Sequence, residues 1–252
     1  MKIKKPFVIE ILKKERVHPL QAASNHSGEK MVEMITSGDL GNIEYLPPKR
    51  GSTVVLNEML LPPRESALFA SLPEYLQLRK SPRPEATRNA RNNLWMSVNW
   101  REKRHDSQFC RQFELVLPTD STLTQARDAV AQFAESALMP QGIVVDLAIH
   151  ETAGALPESA PLSRTAYLMC TMRPFEDKVF ANKNRDWNSF GQLISWRTEW
   201  FDALYPILDA DSTSQTTIDL RSFAKRFASK KSHVFLPSPE DGQQLAPRSM
   251  RL

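Results

Sequence analysis

The sequence predicts an α+β domain, an antiparallel sheet with helices packed on it, followed by a basic, flexible C-terminal tail. Three observations carry that reading. Apolar runs of strand length alternate with longer segments whose apolar residues recur every three or four positions. The strands at 142–150 and 165–173 are joined by a Pro/Ala/Ser loop without a helix. That makes them antiparallel neighbours and places the helices on one side of the sheet. Beyond about residue 210 the composition turns Asp/Ser/Thr-rich and then Lys/Pro-rich, as in a linker and an unstructured end. The domain is therefore drawn over residues 1–210, with linker and tail at 211–252.

Each element has a local reason. Pro6 to Leu12 reads as the first strand. Pro19 to Ile35 is a helix candidate, with proline suited to its first turn and Gly38 near its stop, although Gly28 interrupts it. Thr53 to Leu61 is a short buried strand closed by Pro62 and Pro63; Arg64 to Arg79 is helical, with Pro73 as a break. From Pro84 to Arg104, Ala90, Leu94, Val98 and Arg101 share one helical row. Phe109 to Pro118 is a strand. Ser121 or Thr122 then caps a helix running to about Met139, with Ala126, Val130, Phe133 and Ala137 on its buried face. Trp187 to Leu208 is a long amphipathic helix, and Ile218 to Ser229 is a short one within the tail.

Composition bounds the function. A chain of 252 residues, 41% hydrophobic and 25% charged, can bury a full core and falls in the soluble globular class. No apolar run approaches a bilayer span, and Glu10 and Glu15 interrupt any signal-peptide core, so a cytoplasmic protein without membrane contact is expected. Cys110 and Cys170 make neither a disulfide framework nor a zinc site. Seven of the 33 Lys and Arg residues and two of the 29 Asp and Glu residues lie within 221–252. Residues 1–220 are thus nearly neutral, and binding of nucleic acid by the body must come from a local patch.

That patch is sought at 79–111, where nine basic side chains face three acidic ones. Arg83, Arg88, Arg91, Arg101, Lys103, Arg104 and Arg111 are its candidate phosphate contacts. A second group, Arg173, Lys183 and Arg185, follows the strand at 165–173. Both groups read equally as solvated surface. The asparagines of "RNARNNLW" suit phosphate and base contacts, and Trp100 suits stacking on unpaired bases, while Trp95 sits at core spacing. His26 and His105 read as exposed. One face of "SRTAYLMCTMRP" (163–174) carries Thr165, Tyr167, Met169 and Thr171, which bind neither a metal nor a proton at neutral pH.

Six segments together resemble the MobA/MobL family of plasmid-mobilisation relaxases: "QAASNHSGEKM" (21–31), "VVLNEMLLP" (54–62), "LWMSVNWREKRHDSQFCRQFELVLP" (94–118), "GIVVDLAIH" (142–150), "TAYLMCTMRP" (165–174) and "WNSFGQLISWRTEW" (187–200). The likeness spans roughly residues 5 to 208. It implies the HUH endonuclease fold and nicking of single-stranded DNA by a tyrosine, with a divalent metal on three histidines polarising the phosphate. By that resemblance the tyrosine falls on Asn25, the H-x-H pair on Thr165 and Tyr167, and a further histidine on Asn57. His150 remains as a relic ligand, or as a structural histidine closing its strand. Tyr167 and Met169 would fill the space of the metal, and Asp146 and Glu58 would pair with basic neighbours in the old pocket.

The expectation is a catalytically inactive relaxase-like protein without cofactor or metal. Its partner would be DNA at a plasmid or integrative-element origin, bound as an accessory or regulatory factor of conjugative transfer. A protein-interaction module for conjugation or type IV secretion proteins is the alternative, and an active nickase with relocated residues the third. The basic tail reads as a nonspecific polyanion binder or as a secretion signal, and the sequence carries no signal for oligomeric state.

Overall fold

Side chains alternate along a strand, so a strand buried along both rows must be covered on both faces. "VDLAIH" is of this kind, with Val145, Leu147 and Ile149 on one row and Asp146, Ala148 and His150 on the other, and the computed structural model places it inside a five-stranded antiparallel sheet. Residues 2–3, 7–33, 43–47, 52–62, 84–152, 163–176, 179–209 and 217–218 are described. In chain order the elements are β1 (Lys2–Ile3), β2 (Phe7–Lys13), α1 (Pro19–Ser27), β3 (Met31–Glu33), β4 (Ile43–Tyr45) and β5 (Ser52–Leu60). Then come α2 (Pro84–Arg101), β6 (Gln108–Val116), α3 (Leu123–Phe133), β7 (Val145–Thr152) and β8 (Ser163–Thr171). After these lie β9 (Phe175–Glu176), β10 (Val179–Phe180), α4 (Phe190–Asp209) and β11 (Thr217–Ile218).

The main sheet runs β2-β6-β8-β7-β5, every neighbour antiparallel, so β7 and β8 pair as the sequence predicts. Helices cover both faces, not one. On the first face Phe113, Leu115, Leu147, Ile149 and Leu168 pack with Phe133 of α3 and with Trp196 and Trp200 of α4. Edge-to-face rings at 5.5–5.8 Å tie Phe113, Phe133, Trp196 and Trp200 together. On the second face Cys110 and Met169 meet Leu20 and Ala23 of α1 and Trp95 and Val98 of α2. The one-sided expectation fails because the second face, though it carries Asp146 and His150, is covered too, through this smaller apolar cluster and through polar contacts from α1 and α2.

The helix ends explain where the chain turns. Thr122 caps α3 in a reciprocal box, its hydroxyl accepting from the Gln125 backbone N–H while Gln125 Oε1 accepts from the Thr122 N–H. Helix α2 stops at Arg101, short of Arg104, where Lys14 Nζ donates to the carbonyls of Asn99 and Glu102. Helix α1 ends at Ser27 instead of running to Ile35. Gly28 adopts φ 74° and donates its N–H to the Ser24 carbonyl, so the residue that interrupted the pattern is the stop. The Arg64 to Arg79 helix and everything after residue 218 lie outside the described residues. Within the expected linker, Thr217–Ile218 pairs in parallel with Lys2–Ile3.

A Cβ at position 28 would meet Val54 Cγ2 at 3.1 Å as well as the left-handed backbone. Gly28→Ala is therefore expected to lower stability by about 1–2 kcal/mol in urea unfolding, and Gly28→Asn by less.

Candidate functional site

Strand register decides which sequence positions meet. On the face covered by α1 and α2, β7 presents Asp146, Ala148 and His150, and β8 presents Thr165, Tyr167 and Met169. His150 stands opposite Thr165, Ala148 opposite Tyr167, and Asn57 of β5 opposite Ala148. Helix α1 lies over these strands and brings Asn25 and His26. Asn25, His26, His150 and Tyr167 share one cleft of about 270 Å³ with Gln112 of β6. Leu12, Val17 and Ala22 form its apolar side. The structure thus gathers the positions of the resemblance in one place, with Asn25, Tyr167 and His150 lining the cleft and Thr165 and Asn57 on neighbouring strand positions.

The ring of His150 is committed. Its Nε2 lies 2.8 Å from the His26 carbonyl, which can only accept, so Nε2 carries the proton. Its Nδ1 lies 3.4 Å from Ser52 Oγ. The ring packs edge-to-face on Tyr167 at 5.0 Å. With both nitrogens engaged, and with Asn57, Thr165 and Tyr167 at the other positions, the residues present do not fit a divalent cation. Among the described residues no three His, Cys, Asp or Glu side chains converge on one point. Asn25 accepts a hydrogen bond from Gln21 Nε2 at 2.8 Å.

Beneath the cleft sits Asp146, fully buried. Arg91 Nε donates to both its oxygens, at 2.9 and 3.0 Å, and Trp95 Nε1 donates to Oδ2 at 2.8 Å. His26 Nε2 stands 3.5 Å from Oδ1. Burial pushes the Asp146 carboxyl up, but Arg91, then His26 and Trp95, outweigh it and hold it down at about 2. Arg91 also donates to Glu29 at 2.7 Å. The pairing of Asp146 with a base was legible in the sequence. Glu58 instead faces away, pairing with Arg127 of α3 on the opposite side of the sheet.

The proposed phosphate contacts separate into buried and exposed sets. Arg91 and Arg111 are corrections, since both are buried and spent inside. Arg111 donates to Asn188 Oδ1 and lies 4.9 Å over the Trp196 ring; burial lowers its pKa. Arg173 and Lys183 both bind Glu102, at 2.6 and 2.9 Å. Of the asparagines in "RNARNNLW", Asn92 bonds the N–H and C=O of Val32 while Asn93 is exposed; farther along α2, Asn99 donates to Glu33. Arg101, Lys103, Arg104 and Arg185 are exposed, with Arg104 paired to Asp106. Trp100 is 61% exposed beside them, whereas Trp95 is core. Arg88 lies on α2 without a described side chain, and Arg83 lies outside the described residues. His105 is exposed as expected, but His26 is buried. His26 gave no sequence signal beyond its place next to Asn25.

Removing one partner of the buried pair strands the other charge. Asp146→Ala and Arg91→Ala are each expected to cost about 3–5 kcal/mol of stability in chemical unfolding. The folded pKa of Asp146 lies below its ordinary 3.8, so its contribution is complete above about pH 4 and is lost as pH falls towards about 2. The acid limb of a stability-against-pH curve should flatten over that window in Asp146→Asn.

A profile of the MobA/MobL family matches residues 21–236. The chain is 27% identical over 160 residues to conjugal transfer protein TraA of Rhizobium radiobacter, covering 64% of this chain and 14% of that protein. It is 31% identical over 115 residues to conjugal transfer protein TraA of Agrobacterium fabrum, covering 45% and 10%. The chain thus spans only a small part of the length of these relatives. A solved structure bearing on the molecular basis of vancomycin resistance transfer in Staphylococcus aureus superposes with a TM-score of 0.62 at 20% identity, over 84% of this chain and 97% of that one. The sheet order, the two helical covers and a family match over most of its length place this chain in the MobA/MobL relaxase family, with an HUH relaxase-like α+β fold.

Proposed function

We propose that this domain binds DNA without cutting it, as an accessory or regulatory factor at an origin region in conjugative transfer. One observation carries the reading: the cleft that the family resemblance assigns to catalysis is lined by Asn25 and by a histidine with both nitrogens engaged. A carboxamide cannot form the phosphoester link that a tyrosine forms. Tyr167 offers a hydroxyl, but it stands at a ligand position on β8, not at the nucleophile position on α1. Loss of one group that stabilises transition-state charge costs about 10²–10³ in rate, and here the H-x-H pair and the nucleophile are absent together, with His150 alone retained.

Exposed cations support the binding half of the proposal. Arg101, Lys103 and Arg104 leave the end of α2 beside Trp100, giving phosphate contacts next to a stacking surface. Glu102 draws Arg173 and Lys183 against the same helix end, which carries the segment of Arg185 towards it. The names of the relatives, conjugal transfer proteins, support the setting in transfer.

Fluorescence anisotropy on labelled oligonucleotides should give an affinity that falls with salt, with a log–log slope of about −0.7 per phosphate contact on a single strand. Replacing Arg101 and Lys103 by Ala should reduce the steepness of that slope by about 1.4. Binding indifferent to salt, or none tighter than about 10⁻⁴ M, would move the reading to a module for conjugation or type IV secretion proteins. Supercoiled origin DNA incubated with Mg²⁺ or Mn²⁺ should stay uncut, with the native chain and with Asn25→Tyr alike. A nicked product or a covalent protein–DNA adduct from the native chain would refute the proposal.

A further inference from the structure

The cleft is a remodelled space with a chemistry of its own. At about 270 Å³ it is close to the roughly 300 Å³ at which small-ligand pockets begin. One side is apolar, through Leu12, Val17 and Ala22, and the other is aromatic, through Tyr167 and His150, whose rings are fixed edge-to-face. Between them stand two carboxamides. The Gln112 side chain makes no hydrogen bond among the described residues, and the Asn25 side chain spends only its oxygen, on Gln21.

Its electrostatics exclude the ligand an ancestral nicking site would favour. None of the described lining residues is Lys or Arg. Glu10 faces Gln112 across β2 and β6, and Glu114 faces Tyr167 across β6 and β8, both on this side of the sheet. Asp146 lies beneath His26, and its charge is already taken by Arg91. His26 and His150 are the titratable groups on the lining itself, the latter held by the His26 carbonyl. A phosphate entering here meets carboxylates and no fixed cation.

The geometry points to a nucleobase: a planar, uncharged heteroaromatic ring seated between the apolar and aromatic walls, with the Gln112 and Asn25 amides bonding its edge. An amide offers both donor and acceptor, so it can read a base edge, and an aromatic wall supplies stacking. The inference rests on the reading that this cleft has lost its nicking chemistry, and is independent of the exposed cations at the end of α2. The ring could belong to a free nucleoside or to an unpaired residue of a strand, and the two sources are separable.

The test is an NMR titration of the whole chain with adenosine, guanosine, cytidine and thymidine, each beside its 5′-monophosphate, and with inorganic phosphate alone. At least one nucleoside should give saturable shifts at Gln112 and Tyr167, its monophosphate should bind no tighter, and phosphate should leave these signals in place. Gln112→Leu should weaken binding about tenfold or more; Tyr167→Phe should retain it, and Tyr167→Ala should lose about tenfold or more. An oligonucleotide that shifts the cleft signals while an abasic copy does not would assign the source to a strand. Shifts with nucleosides alone would assign it to a free ligand. Preference for monophosphate or phosphate, or no saturation by any nucleoside up to about 10 mM, would overturn the inference. In that event salt-dependent DNA binding through Arg101 and Lys103 would still stand or fall by its own titration.

Discussion

A carboxylate with no access to water is stable only if its charge is matched where it sits, and Asp146 sets that demand near the start of β7. Arg91 and Trp95 answer it from successive turns of α2, and His26 approaches from α1. One side chain therefore fixes two helices against the same strand. The consequence reaches the cleft directly. The backbone carbonyl of His26 receives the His150 proton, so the position of α1, the tautomer of His150 and the edge contact to Tyr167 form one linked arrangement.

The two faces of the sheet carry different burdens. Aromatic rings of β6, α3 and α4 fill one face with apolar contact and bury Arg111 under Trp196. The other face has a smaller apolar cluster and a polar network, and leaves an opening between α1 and the strands. A sheet stabilised from behind can keep unfilled space in front.

Much of the fold was legible because its signals are local. Apolar runs of strand length marked the strands, the Pro/Ala/Ser sequence after 150 implied the β7–β8 pairing, and of the two cap candidates, Ser121 and Thr122, it is Thr122 that caps α3. Burial of β7 along both rows was not legible, because its second row carries Asp146 and His150, whose partners come from α2 and α1. At the site the resemblance named Asn25, Asn57, Thr165, Tyr167 and His150 together, and the strand register and α1 bring these positions to one face of the sheet. The destinations of charge could not. Arg91 and Arg111 look like surface cations because their partners, Asp146 and Asn188, are 55 and 77 residues away. Asn92 similarly looks available for bases, although it serves as a strand partner for Val32.

Glu102 is almost fully buried and collects two cations from a different part of the chain. It acts as a sink for positive potential at the rim of the exposed arginines. Replacing that carboxylate by glutamine would remove the negative charge that offsets Arg173 and Lys183, which would still hold the carbonyls of Ala181 and Gln108. A relative in which this residue differs could thus carry a much stronger electrostatic footprint on the same scaffold, and affinity within such a family need not track the residues that touch the ligand.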